Sequence, residues 1–427
     1  MLTSTCLLSL AALASVQSDA ESHERSAPEE PTPYCWMAAV ADHAPVVVAF
    51  VLHGDLLVLD AATGEVEKSL RRPVADAELW RLDVDPSGER VALLTRDNRV
   101  WLWNWRVDEA PKVVATLPGE ISGGVKYRFG AALEWGPRGK RLLAGHGYGG
   151  VLLLDREGET RLSFTDEPAA RPRDDAESTP SEEAGGEPEP EKWRAIHATG
   201  FDLPRAWSPD GGRLALASAR GPLLFDAGTG EEVASGFDLV DGPIESLALD
   251  AGCARLLVGQ HGGVVSLHDI ATKERRWSYA FIDPFWGGHD PQWNPMGVGA
   301  VEFSPDGELV AATFNSSVYA VLLGAKTGEQ LWTGPQCGGR MGEPSAVVWE
   351  SDGRGFFHAF VSGVMPVRQV RLTSGEGGGF AGQIDRDRGT LPDIGWNGLA
   401  VHVTPKEIRA MDPSTWKPRW TRSARTQ

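Results

Sequence analysis

At 427 residues, with a net charge of −18, 50 glycines and 29 prolines, the chain is large, acidic and rich in turn formers. Its 41 Lys and Arg residues are nowhere gathered into a stripe, which argues against a nucleic-acid partner. Beyond the N-terminus no run approaches the ~18 apolar residues of a membrane-crossing helix, so no membrane span is expected.

Residues 1–20 (MLTSTCLLSLAALASVQSDA) read as a secretory signal peptide, with an apolar stretch from Cys6 to Val16 followed by small residues. No Lys or Arg precedes that stretch. Export, periplasmic or secreted, is therefore the expectation, and a cytoplasmic protein with an uncleaved N-terminus is the alternative. Residues 21–33 make a polar tether, and residues 34–424 hold the folded domain. Cys35, Cys253 and Cys337 would remain after cleavage. An odd count in scattered positions requires no disulfide.

From residue 56 onward one phrase recurs: an apolar run, a residue such as Asp, a Thr-Gly type turn, then a second strand-like run. Clear copies are LLVLDAATGEVEKSL (Leu56 to Leu70), VLLLDREGETRLSF (Val151 to Phe164), PLLFDAGTGEEVAS (Pro222 to Ser235), VVSLHDIATKERRW (Val264 to Trp277) and VYAVLLGAKTGEQLW (Val318 to Trp332). Weaker copies begin at Val100, Val367 and Ile408. The turn positions Asp60, Asn104, Asp155, Asp226, Asp269, Gly324, Arg371 and Asp412 stand 41–55 residues apart, with one gap of 71. Four-stranded propeller blades repeat at roughly 40–45 residues. A second phrase precedes most copies, a Pro- and Gly-containing turn followed by an apolar strand, as in DPSGERVALLT (Asp85 to Thr95), SPDGGRLALAS (Ser208 to Ser218) and SPDGELVAAT (Ser304 to Thr313). Pro presets one turn dihedral and Gly supplies a positive φ, so these are hairpin turns.

Each unit therefore parses as four strands, a to d. In the sixth, strand a is 297–303, b is 308–314, c is 317–323, and d is the EQLWTG segment, with the b–c turn at Asn315 and Ser316. Strands b and c are continuous apolar runs, as expected of a sheet covered on both faces. The expected fold is all-β, a single β-propeller of four-stranded blades. Eight phrases give eight blades, or seven if the region from Val367 to Arg386 or a terminal phrase is irregular. The blades should consist of consecutive strands, with one seam strand borrowed from the other terminus as the alternative. Sixteen Trp against five Tyr suits a repeat that buries an indole between blades. The 71-residue gap contains an insertion, residues 166–192. Within it Asp166 to Glu191 carries ten acids and two arginines, a charge of −8. Such a segment cannot bury enough apolar surface to offset its ordering entropy, so a disordered acidic loop is expected.

These phrases resemble WD40-like and PQQ-like (quinoprotein-type) β-propeller repeats. The first likeness lies in SPDG followed by an apolar strand, and in VWLWN (Val100 to Asn104). The second lies in D-A-x-T-G-E with a terminal Trp. The resemblance implies the fold and little about function. Asp60, Asp155, Asp226, Asp269 and Asp412 do not follow a Trp. His53, His146 and His261 lie in b–c turns rather than between blades. Quinoprotein dehydrogenases carry adjacent cysteines beside the cofactor. This chain has no Cys-Cys pair, so cofactor binding is not carried over and no cofactor is expected.

Among the connections, FIDPFWGGHDPQWNPMG (Phe281 to Gly297) concentrates Phe285, Trp286, His289, Asp290, Trp293 and Met296. Exposed, these would make a protein-partner hot spot or a sugar-stacking platform. Folded back, they would cap their own blade. His289-Asp290 lacks the further ligands that a metal site requires, and no metal is expected. His53, His146 and His261 recur at one position, as a shared set or as polar residues of tight hairpins. The segment from Thr333 to Pro344 adds Arg340 to the same candidate face. No nucleophile elbow, zinc-protease motif or Cys-x-x-Cys is present. The expected function is a non-catalytic, exported, monomeric binding scaffold for another protein or an envelope component. The alternative is a propeller hydrolase or lyase acting on a sugar or small ester at a central funnel.

Overall fold

Four antiparallel strands recur eight times along the chain, each set forming its own sheet in simple sequence order. The computed structural model describes residues 35–423 except 52–54, 72, 74–78, 119–130, 147–149, 166–202, 219, 241, 282–296, 315–319, 335–344, 350–352, 354, 361–367, 373–379, 384–392, 395–398, 404–406 and 413–416. Every element among the described residues is a strand. In sheets one to eight, strand a is Cys35–Val40, Leu79–Val84, Ala131–Trp135, Arg205–Trp207, Ile244–Leu249, Val298–Phe303, Ser345–Trp349 and Asp393–Ile394. Strand d is Val66–Arg71, Lys112–Thr116, Thr160–Thr165, Glu232–Ala234, Arg275–Ala280, Gln330–Thr333, Phe380–Gln383 and Pro418–Ser423.

The apolar runs become the covered middle of each sheet. Strand c of sheet three, Gly150–Asp155, is buried along its whole length, and that of sheet five, Val264–Asp269, at all but its last residue. Strand d instead alternates half-buried and exposed residues, as in Arg275–Ala280. Five residues separate strands a and b in every sheet. The chemistry of that turn repeats. The N–H of Asp85 donates to the Arg90 carbonyl at 2.9 Å, and that of Ser304 to the Leu309 carbonyl at 3.0 Å. Oδ1 of Asp85 also accepts from the N–H groups of Glu89 and Arg90 at 2.8 Å. Ser304 Oγ takes the same role toward the Leu309 N–H at 2.9 Å.

The Asp-Thr-Gly phrase has an equally local cause. Asp60 Oδ1 accepts from the N–H groups of Ala62 and Thr63 and from the Thr63 hydroxyl at 2.8–3.0 Å, an Asx-type turn. Strand d then carries a bulge, which in sheets three, five and eight falls at Arg161, Arg276 and Arg419. Each bulged guanidinium turns back to Oδ2 of the turn aspartate, pairing with Asp155, Asp269 and Asp412 respectively. The Arg276 guanidinium, with the Thr272 N–H, holds the Asp269 carboxyl below the usual carboxylate range.

Seven buried apolar clusters each join two sheets: one with two, two with three, and so on to six with seven, and eight with one. The cluster between sheets eight and one unites Val401, Ile408 and Ala410 with Val47, Ala49 and Leu59. Tryptophans of strand d pin two of these seams in the same way. Trp277 of sheet five donates its indole N–H to the Ala325 carbonyl at 2.9 Å, and Trp420 of sheet eight donates to the Ala61 carbonyl at 2.8 Å. Each indole lies flat over the turn glycine of the partner sheet. A Cβ at Gly328 or Gly64 would come within 2.7 Å of the ring, and both glycines have φ near +70° (70° and 74°). Arg422 adds a 2.9 Å bond to the Gly64 carbonyl.

The structure adjusts several expectations. In the sixth unit, strand c, expected at 317–323, is described as Ala320–Gly324, and residues 315–319 lie outside the described set. The region from Val367 to Arg386 supplies two paired strands, Arg368–Arg371 and Phe380–Gln383. Every sheet is built from consecutive strands, including the last, so no seam strand is borrowed among the described residues. His146 ends strand b of sheet three, paired with Ala131, instead of standing in the turn. The N-terminal segment, the tether at 21–33 and the acidic insertion at 166–192 lie outside the described residues.

Candidate functional site

A meander sheet has two ends. One carries the a–b and c–d turns, and the other carries the b–c turns and the connections to the next sheet. The connections from strand d to the next strand a range from 7 to 39 residues, against a constant five for the a–b turns. The c–d turns, which share the a–b end, span only 4 to 8 residues, so the greatest length variation, and the loops long enough to build a binding surface, are at the other end.

Phe285, Trp286, His289, Asp290, Trp293 and Arg340 lie outside the described residues, as does His53. The ends of the 282–296 connection are defined. Phe281 is buried, stacks on Phe314 with centroids 4.5 Å apart, and donates its N–H to the Gly263 carbonyl at 3.0 Å. Gly297, at the far end, pairs with His261 in an isolated bridge. The aromatic connection thus leaves and returns beside the b–c turn of sheet five.

At that point the structure assembles a pair that sequence reasoning missed. Glu245 occupies a bulge in strand a of sheet five, and bulges commonly re-aim side chains. Its Oε1 lies 2.8 Å from His261 Nδ1, with the carboxyl side chain 7% exposed and the imidazole 43%. This contact raises the His261 pKa above its ordinary value, against the opposing effect of burial. Neighbouring Gln260 is fully buried and donates from Nε2 to the Val240 and Gly242 carbonyls. Its Oε1 has no hydrogen-bond partner. Sequence reasoning had the His261 turn but no reason to connect it with Glu245, sixteen residues upstream.

A second polar set lies on the strands a themselves. Asp83, Glu134 and Glu302 each stand two residues before the a–b turn, and each leans on the next sheet. Asp83 Oδ2 accepts the Trp135 N–H at 2.6 Å. Glu134 Oε2 accepts from Arg205 Nε at 2.6 Å. Glu302 accepts the backbone N–H of Trp349 with its carboxyl and the Trp349 indole N–H with its carbonyl at 3.4 Å. Unlike Glu134, Glu302 has no guanidinium opposite and its Oε2 has no hydrogen-bond partner among the described residues. Burial pushes its pKa up to about 8, with the Trp349 N–H opposing, which favours the protonated form at neutral pH. A signal for this set was present in the repeated acid-x-turn phrases DVDPSG, EWGPRG and EFSPDG.

Elsewhere, His268 is fully buried, with Nε2 2.9 Å from Ser266 Oγ. Desolvation drops its pKa to about 4. Cys253 is a free thiol in an a–b turn. No group of three or more His, Cys, Asp or Glu side chains among the described residues is placed to hold a metal ion. No helix among them is long and apolar enough to cross a membrane. A scan against models of known protein families matched none, and a search of curated proteins found no match.

Proposed function

We propose that this chain is an eight-bladed β-propeller, closed by the seam between sheets eight and one, that serves as an exported, non-catalytic, monomeric binding scaffold. The partner is another protein or an envelope component, held on the end that carries the b–c turns and inter-sheet connections. The observation that carries this reading is the asymmetry between the two ends. Connections of 7–39 residues at one end contrast with invariant five-residue a–b turns at the other, and loops on a rigid scaffold are where binding residues concentrate. Kinship with quinoprotein-type repeats is supported by Trp277 and Trp420, which dock over the next Thr-Gly turn. Closure is supported by the equivalence of those two contacts. The test immobilises wild-type protein and the Trp286→Ala/Trp293→Ala variant and compares what each retains from the secreted or periplasmic fraction. A partner held by wild type and lost by the variant supports the reading. Identical retention removes the 282–296 connection as its contact.

A second reading, a hydrolase or lyase acting on a sugar or small ester, is favoured by one observation: the Glu302 carboxyl is buried with Oε2 unpartnered, and burial raises its pKa, the direction a general acid needs. Turnover of glycoside or ester substrates by wild type and its loss in Glu302→Gln would select it.

A further inference from the structure

We propose that the seam between sheets four and five carries an acid-opened latch: a strap formed by residues 235–240 lifts off sheet five when His268 takes up a proton. The latch does not depend on which end of the sheets binds a partner. Strand d of sheet four, Glu232–Ala234, pairs only with Leu224 and Phe225, whereas strand d of sheet five follows strand c along its length. Ala234 holds the register position of Trp277 and Trp420, and Lys273 holds the turn position of Gly328 and Gly64. The indole-over-glycine contact of the other two seams is therefore replaced here. The chain leaves sheet four and crosses to sheet five as a strap. The Asp238 N–H donates to the Lys273 carbonyl at 3.2 Å, and the Asp238 carboxylate stands 3.8 Å from Arg275 in a part-exposed ion pair. Phe237 is buried, its ring nearly perpendicular to that of His268 with centroids 6.0 Å apart.

Sheet five is polar on the face that meets sheet four. Ser266 and His268 stand directly across from Val258 and Leu256 of the apolar cluster, and Gln260 lies two residues beyond Val258. All three polar side chains are fully buried. Gln260 Nε2 donates to the Val240 and Gly242 carbonyls, and His268 Nε2 lies 2.9 Å from Ser266 Oγ. Gln260 Oε1 and His268 Nδ1 have no hydrogen-bond partner among the described residues. A second proton on His268 would therefore create a buried charge with an unanswered N–H, which is costly. Sheet four brings only apolar Ala215, Leu224 and Ala234 to this cluster. The charged groups acting on the imidazole are Arg275 of strand d, which opposes protonation, and Asp238 of the strap, which favours it. Burial first, then Arg275, drops the pKa from 6.5 to about 4. Lifting the strap gives the ring water and an ordinary affinity for protons. Above pH 6.5 the imidazole is neutral with the strap seated or lifted, and no difference arises. Between 6.5 and about 4 only the lifted form takes up the proton, so seating weakens as pH falls, by about tenfold for each unit.

The test follows hydrogen exchange of the Asp238 amide, with the Leu257 amide of strand b as a core reference, in the full chain from about pH 7.5 to about pH 4.5, corrected for intrinsic rates. An NMR titration of His268 accompanies it. In wild type the Asp238 amide should be less protected than that of Leu257, because the strap lifts without the sheet unfolding. Its protection should fall about tenfold for each unit below pH 6.5. His268→Gln, which keeps a polar side chain but cannot gain a charge, should remove that fall. Arg275→Gln, at a part-exposed site, should raise the His268 midpoint and end the fall at a correspondingly higher pH, and it carries the comparison if His268→Gln does not fold. Asp238 protection that is flat in wild type, that falls equally in His268→Gln, or that equals Leu257 protection at every pH overturns the latch. So does a fall left unmoved in Arg275→Gln while the His268 midpoint rises.

Discussion

Replacing Glu302 by Gln should change the pH dependence of stability more than stability itself. Gln keeps the shape and the acceptor for the Trp349 N–H but cannot ionise. In wild type the Glu302 pKa rises from an ordinary 4.5 to about 8 on folding. The sign is the reverse of the common carboxylate case. Below 4.5 both folded and unfolded chains hold the proton and no difference arises. Between 4.5 and 8 the unfolded chain releases a proton that the folded chain keeps, so wild-type stability falls as pH rises. Above 8 both are ionised and the penalty is constant. Linkage gives about 1.4 kcal/mol for each pH unit in that window. Because the side chain retains some accessible surface, a total of about 2–4 kcal/mol is the reasonable scale. The assay is urea denaturation of wild type and Glu302→Gln at successive pH values, read as the difference between the two. His268, whose pKa falls to about 4, makes stability rise with pH between about 4 and 6.5. It does so in both proteins and cancels in the difference. The variant should gain on wild type steadily as pH rises. Parallel curves would refute the assignment of a buried, protonated carboxyl.

Closure has its own measurement. Trp420→Ala and Trp277→Ala should each cost about 2–4 kcal/mol, since each removes a half-buried indole and one hydrogen bond at equivalent seams. In a closed ring, both variants should unfold in one transition with similar midpoints. An early, separate transition in Trp420→Ala would mean that sheet eight ends an open array. Lys273 and Cys253 hold φ of 64° and 50° at turn positions where most other copies place glycine. Lys273→Gly should stabilise by about 0.5–1 kcal/mol, relief of left-handed strain exceeding the entropy of the added glycine. Cys253→Gly should act in the same direction. A loss of thermal stability in Lys273→Gly would show that the side chain supplies more than its backbone costs.

The architecture was legible because its causes are local. An Asp that caps its own turn, a Gly that permits the reversal and an apolar run long enough to be covered on both faces all act within one unit. They therefore recur wherever the unit does. Limits were harder to read where local chemistry weakened. His146 pairs with Ala131 and stays in its strand although it resembles the histidines of the turns. The role of Arg161, Arg276 and Arg419 was invisible for a different reason. A bulge shifts the register by one residue, and period-two alternation cannot anticipate which side chain then swings back to the aspartate.

The site was less legible than the fold because its pairs are made between units. Glu134 meets Arg205 across a separation of 71 residues, and Asp83 meets the Trp135 N–H across 52. No spacing rule within one repeat predicts such partners. What the sequence did offer was symmetry, since an acid two residues before the a–b turn recurs in sheets two, three, six and eight. Symmetry also makes the exception informative. Where Glu134 is answered by a guanidinium, the position in sheet seven corresponding to Arg205 is Val347, buried in the apolar cluster. Glu302 is then left to keep its proton in place of a counter-ion. Asp83, Glu134 and Glu302 hold one position in the repeat but are each satisfied differently, which shows where the copies have stopped being interchangeable. Among sheets of near-identical build, that loss of equivalence marks the ones whose surroundings differ from those of the other copies.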